Sequence, residues 1–217
     1  MEPTAVVFDL DNTLAVTRRD RQTLLDEATD AADVRPIDRA EYLAAHGEDL
    51  ASETRAPIFD SIIDEGDPGA VAASYRDAIR RDLAPVDGAE SLVRDLRTDY
   101  RVGLLTDGPM RAQHDKLEHL GWTDLFDAAV VTGSLPAGKP DERAFRAILD
   151  ALDVEPAETV FVGDNPTADI EGAAAAGLVT VQVLRDGETP TAAAHATVSA
   201  ESLVEELRGL LAAQTRL

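Results

Sequence analysis

Short apolar runs alternate along most of the chain with longer stretches of helical periodicity. The first run, Ala5–Phe8 (A-V-V-F), is wholly apolar and built from β-formers, the pattern of a strand covered on both faces. Runs of the same kind recur at Arg101–Leu105, Ala128–Thr132, Thr159–Val162 and Val179–Leu184. Between and after them, Ala89–Leu96, Arg111–Leu120, Asp141–Leu152, Ala168–Ala176 and Ala200–Ala213 have amphipathic helical spacing. This alternation predicts an α/β fold around a largely parallel sheet. Such sheets bind ligands beyond the carboxyl ends of their strands.

The stretch from Ala15 to Pro85 breaks the rhythm. Nothing in it reads as a strand, whereas L-L-D-E-A, A-E-Y-L-A-A and V-A-A-S-Y-R-D-A-I-R-R all have helical spacing. It predicts a helical insertion over residues 15–85, following the first strand and returning near Pro85–Gly88, with residues 1–14 and 86–217 forming the main domain. The alanine-rich segments Gly172–Gly177 and Thr191–Ala196 read as tight packing or loop.

Four predicted strand ends carry polar chemistry. The first strand runs into D-L-D-N-T, which sets Asp9 and Asp11 two residues apart. A lone D-x-D is explained equally by turn capping with both carboxylates in water, or by a divalent cation that offsets their repulsion. A second acidic end, V-F-V-G-D-N-P-T-A-D, supplies Asp164 and Asp169. By itself it is an ordinary turn, but two acidic ends of one parallel sheet can converge on one cation. G-L-L-T-D-G offers the Thr106 hydroxyl and the amides of Asp107 and Gly108 to an anion, and it is also a good helix N-cap.

Composition changes this picture in two ways. The 217 residues hold 42 Asp and Glu against 20 Lys and Arg, a net charge of −22, which excludes long-range attraction to nucleic acid or an anionic membrane. Lys116 and Lys139 are the only lysines, so Lys139, in G-K-P-D, suggests a need for a compact ammonium. Lys116, beside Asp115 and Glu118 in a helical stretch, reads as a solvated surface residue. The absence of cysteine excludes disulfides, a thiolate nucleophile and a thiolate zinc site. With no basic leader pattern and no apolar run of ~18 residues, the expectation is a soluble cytoplasmic protein. The acid-rich, lysine-poor, alanine-rich composition also resembles that of halophilic archaeal proteins.

With V-V-F-D-L-D-N-T-L, Thr106 in L-L-T-D-G, Lys139 in G-K-P-D and V-G-D-N-P-T-A-D in this order, the sequence resembles the haloacid dehalogenase-like (HAD) hydrolase superfamily, in its Mg²⁺-dependent phosphatase branch. The resemblance implies a Rossmann-like core with a helical C1-type cap at the insertion. It implies Asp9 as nucleophile, Asp11 as general acid and base, and Thr106, Asp107 and Lys139 around the phosphoryl group. Mg²⁺ would be held by Asp9, Asp11 (through its backbone carbonyl), Asp164 and Asp169, the last directly or through water. Asp11 speaks against the dehalogenase branch. Asn12 stands where glycine is common, and Asp107 where asparagine is frequent. The implied substrate is a small phosphorylated metabolite such as phosphoglycolate or a sugar phosphate. A sugar phosphomutase and a non-catalytic binding protein on the same scaffold are the alternatives. Thr17, Arg18, Arg19 and Arg55 are candidate cap contacts, though each reads more readily as a solvated surface residue than as a specificity contact. His46, His114, His119 and His195 lack metal-ligand spacing.

Overall fold

The structure, a computed structural model, describes residues 3–48 and 53–214. In chain order the strands and helices are β1 (Ala5–Phe8), β2 (Ala15–Thr17), α1 (Arg21–Ala31), α2 (Arg39–Glu48), α3 (Ala56–Asp60), α4 (Pro68–Asp82), β3 (Leu83–Pro85) and α5 (Ala89–Leu96). They continue with β4 (Arg101–Thr106), α6 (Met110–Leu120), β5 (Ala128–Val131), α7 (Glu142–Leu152), β6 (Thr159–Gly163), α8 (Gly172–Ala175), β7 (Val179–Leu184), β8 (Ala196–Ser199) and α9 (Leu203–Gln214).

Six strands form one parallel sheet in the order β5-β4-β1-β6-β7-β8. This is the α/β architecture that the alternating pattern predicts. Strand β1 is apolar throughout because it is covered twice. Val6 and Phe8 face a core with Leu92 and Val93 of α5 and Leu207 of α9, while Val7 faces the opposite core of Phe145, Ile148 and Phe161. The side-chain period of two divides the strand between the layers.

The insertion has a core of its own, in which Leu24, Leu25, Ile37, Tyr42, Ile58, Phe59, Val71, Tyr75 and Ile79 pack together. Four helices contribute most of it, as the spacing predicts. Two short strands at its ends were not expected: β2 and β3 pair antiparallel, Ala15 against Pro85 and Thr17 against Leu83. Three residues are too few to show a period of two, and the ladder forms because chain exit and return lie side by side.

Two further elements differ from the expectation. Residues Ala196–Ser199 form the edge strand β8, and the last helix begins at Leu203 instead of Ala200. Only Val198 of that strand is buried, so its apolar pattern is too weak to register. The helix predicted over Ala168–Ala176 is a π-helical turn, Pro166–Glu171, continued by α8. Asn165 starts it, its side-chain oxygen accepting from the amides of Thr167 at 3.0 Å and Ala168 at 2.9 Å.

Phe145 meets Phe161 edge to face, with ring centroids 5.4 Å apart and both side chains fully buried. Phe145→Ala is expected to destabilise the fold by ~3–5 kcal/mol through lost burial and a residual cavity. Urea unfolding checks this; an unchanged midpoint at constant slope would contradict the packing described.

Candidate active site

Strands β4, β1 and β6 are neighbours and parallel, so their carboxyl ends meet at the sheet centre. Asp9 follows β1, Thr106 ends β4 with Asp107 next, and Asp164 follows β6. Oxygens of Asp9, Asp164 and Asp169 lie within 4.8 Å of one another. The buried Lys139 ammonium sits among them, donating to Asp9 Oδ1 at 2.7 Å, Asp169 Oδ1 at 2.6 Å and the Leu105 carbonyl at 3.2 Å. It arrives on the loop between β5 and α7, and the Lys139 amide donates to Asp107 Oδ1 at 3.1 Å. The Asp107 carboxylate, the extra charge noted in the sequence, therefore anchors the lysine loop.

Two backbone positions make this geometry possible. An added Cβ on Gly163 would stand 2.5 Å from Asp169 Oδ2, so only glycine lets β6 pass so close to that carboxylate. Asn12 lies at φ 65°, a left-handed conformation tolerated chiefly by glycine and asparagine. That explains why asparagine can stand where glycine is common.

Three carboxylates against the Lys139 ammonium and the partly exposed Arg185 guanidinium, 3.3 Å from Asp164 Oδ2, leave an excess of negative charge. Burial, then repulsion from Asp169 and Asp164, pushes the Asp9 carboxyl well above the usual range, although Lys139 opposes this. Burial and Asp169 raise Asp164 to about 6 despite Arg185 and Lys139. For Lys139, burial disfavours the charge, but Asp169, Asp9 and Asp107 outweigh it and hold the ammonium protonated. An all-oxygen, over-negative cluster is the donor set of a hard divalent cation such as Mg²⁺.

Asp11 stands apart from this cluster and is ionised. Burial would raise its pKa, but Lys116 and Arg21, with a hydrogen bond from Gln113, hold it well below the usual range. Its Oδ1 accepts from Arg21 at 2.8 Å; its Oδ2 accepts from Lys116 and, at 3.2 Å, from Gln113 Nε2. Lys116, expected at the surface, is 3% exposed, and burial lowers its pKa to about 8. It projects from α6 three residues beyond Gln113, on the same helix face. Gln113 Nε2 also lies 2.8 Å from Thr106 Oγ1 and against the Asp107 carbonyl, so its two protons are shared among three acceptors. Arg21, Gln113 and Lys116 were not identified from sequence. The available signal was the polar i, i+3 pair on the helix after T-D-G.

Of the predicted cap contacts, Arg55 is not a surface residue: it is 7% exposed and donates to the Tyr42 hydroxyl at 3.0 Å. Arg18 and Arg19 are exposed, Arg19 pairing with Asp82 at 2.8 Å, and Thr17 is half-buried at the end of β2. His114 and His119 are exposed, and His195 accepts from the Thr180 amide at 3.2 Å.

A family profile for haloacid dehalogenase-like hydrolases matches residues 3–177. The chain belongs to that family. Its relatives include a phosphoglycolate phosphatase of Cereibacter sphaeroides, 32% identical over 191 residues, covering 80% of this chain and 81% of that protein. An N-acylneuraminate-9-phosphatase of Mus musculus is 34% identical over 126 residues, 58% of this chain, which spans about half (51%) of the mouse protein's length. The structure of a HAD phosphatase from Thermococcus onnurineus superposes with a TM-score of 0.70 at 24% identity, covering 96% of this chain and 99% of that one. This member of the HAD hydrolase family thus has phosphatase relatives. Among its described residues no helix is long and apolar enough to cross a membrane.

Gly163→Ala tests the close packing beneath the site of this HAD hydrolase. The new methyl must displace Asp169 from Lys139, at an expected cost of ~1–3 kcal/mol. Urea unfolding at pH 7 measures it, and wild-type stability would show that Asp169 is not held against β6.

Proposed function

We propose that this HAD hydrolase is a Mg²⁺-dependent phosphatase acting on a small phosphomonoester through a phosphorylated Asp9. The observation that carries the proposal is the convergence of Asp9, Asp164, Asp169 and Lys139 at adjacent strand ends, with Thr106 at the end of the neighbouring strand β4. Bound by Asp9 and Asp164, Mg²⁺ would offset the excess negative charge and polarise the phosphoryl group. Asp169 has both oxygens engaged, by Lys139 and by the Asn165 amide at 3.0 Å, so its part is to orient the lysine and add charge to the site.

In the first step an Asp9 oxygen attacks phosphorus and the ester P–O bond breaks, with the leaving oxygen taking a proton from Asp11. In the second, water attacks the phosphorylated Asp9, gives a proton to Asp11 and releases inorganic phosphate. Thr106 and Lys139 hold the phosphoryl oxygens in both. Ionised Asp11 is ready for the second step. The first requires it protonated, which Lys116 opposes most and Arg21 next; of the two, Arg21 belongs to α1 of the insertion and can leave with it. We assign residues 15–85 as the C1-type cap, whose movement makes and breaks that contact.

Asp9→Asn is expected to lower turnover of p-nitrophenyl phosphate with Mg²⁺ by at least ~10³-fold, and Asp11→Asn by ~10²–10⁴-fold. Steady-state phosphate release checks both, and undiminished turnover by Asp9→Asn sinks the proposal. Release of phosphate, as opposed to an isomerised sugar phosphate, separates this activity from a phosphomutase.

The raised pKa of Asp164, about 6, makes protons compete with the cation. Mg²⁺ affinity should therefore be constant above pH 7 and fall as pH drops through 6, by up to ~tenfold per unit for one proton. Calorimetric titration at pH 5, 6 and 7.5 reads this; affinity that rises on acidification would exclude Asp164 as a ligand.

A further inference from the structure

Between the cap and the core lies a small cavity of about 140 Å³. Arg21, Arg39 and Arg55 reach it from the cap and Lys116 from the core, a local concentration of cations in a chain of net charge −22. Asp11 and Asp107 are the carboxylates of its wall among the described residues. Asp11 is already shared by Arg21 and Lys116, and Asp107 accepts from the Lys139 amide.

Arg39 and Arg55 are left with neutral partners. Arg55, more than nine-tenths buried, donates to the Tyr42 hydroxyl at 3.0 Å and lies 5.6 Å from the Tyr75 ring centroid. Arg39 donates to the Tyr75 hydroxyl at 3.3 Å and lies 5.0 Å from the Tyr42 ring centroid. Among the described residues neither has a carboxylate within ion-pair distance. A buried guanidinium held by phenols keeps most of its desolvation cost uncompensated, and its planar fork matches an anion with paired oxygens. The field is positive enough that His46, on the same wall, is held neutral, its pKa lowered to about 4 by burial, Arg55, Arg39 and Lys116.

We propose that Arg39 and Arg55 form a subsite for a second anionic group of the substrate, so that the enzyme selects short phosphomonoesters whose other end is a carboxylate or a second phosphate. The inference rests on the phosphatase reading for the position of the reacting phosphate, beyond Asp11 at the strand ends. The cavity is small, about 140 Å³, which suits an anion on a short carbon chain.

The test compares 2-phosphoglycolate, 1,3-propanediol bisphosphate and the neutral-ended 2-hydroxyethyl phosphate at one fixed salt concentration. Wild-type enzyme is expected to favour one of the anionic esters over the neutral one by ~10–100-fold in kcat/KM, the arms deciding between carboxylate and phosphate. Arg39→Gln and Arg55→Gln should each cut that ratio at least about tenfold, whatever happens to the absolute rates. Arg39 is only half-buried, so its variant remains informative if Arg55→Gln does not fold. Turnover of all three esters with no anionic preference, or a preference unchanged in both variants, overturns the subsite alone. Calorimetric binding of the same esters to Asp9→Asn supplies a readout independent of turnover. Binding preference without hydrolysis of any ester by the wild type would retain the subsite and overturn the phosphatase reading.

Discussion

Three carboxylates packed around a single buried ammonium, where three parallel strands end, set the conditions for the rest of the molecule. At an effective dielectric of ~20, each carboxylate pair within 4.8 Å repels by at least ~3.5 kcal/mol, and each Lys139 contact at 2.6–2.7 Å returns ~6 kcal/mol. Three repulsions stand against these two contacts and the partly exposed Arg185–Asp164 pair at 3.3 Å, so the direct terms roughly cancel and the burial of the charges is what is left uncompensated. The fold must therefore hold the cluster by force from behind, and it does so with strands that are apolar on both faces. The layer beneath Lys139 includes Phe161, whose ring centroid is 5.7 Å from the ammonium. The desolvation that makes the site costly for the folded chain is what a divalent cation would relieve on the proposed reading.

The same architecture separates two carboxylates that sequence places side by side. Asp9 and Asp11 lie two residues apart, yet Asp9 belongs to the Lys139 cluster and has its pKa pushed up, while Asp11 belongs to Lys116 and Arg21 and is held ionised. The proposed nucleophile needs the ionised form and the proposed proton donor the neutral one, so on that reading a bound cation would lower the pKa of Asp9 and loss of a neighbouring cation would raise that of Asp11.

Legibility from sequence followed the range of the interaction. The sheet was readable because double burial writes a continuous apolar run into each of its main strands, and the polar strand ends were readable because their chemistry lies in contiguous motifs. Strand β8 and the β2–β3 ribbon escaped, being short and largely unburied or fixed by chain closure. Lys116 was misread for a related reason. Its sequence neighbours Asp115 and Glu118 suggest a solvated face, but its partner is Asp11, more than a hundred residues away. Arg55 likewise gave no local sign of burial, because the rings that enclose it come from α2 and α4.

These long-range contacts join cap and core electrostatically. Arg21 of the cap pairs with Asp11, and Arg76 of α4 pairs with Asp115 of α6 at 3.0 Å. The two bridges are almost equally accessible, 19% and 26% exposed for Arg21–Asp11 and 20% and 30% for Arg76–Asp115, so salt screens them alike. In so acidic a chain, added salt relieves the general repulsion between the two parts and weakens both bridges, while Asp11 keeps its buried partner Lys116. The insertion is thus held to the core partly by ion pairs, and on the proposed mechanism the proton state of Asp11 would follow which of its cations, Arg21 or Lys116, is in place.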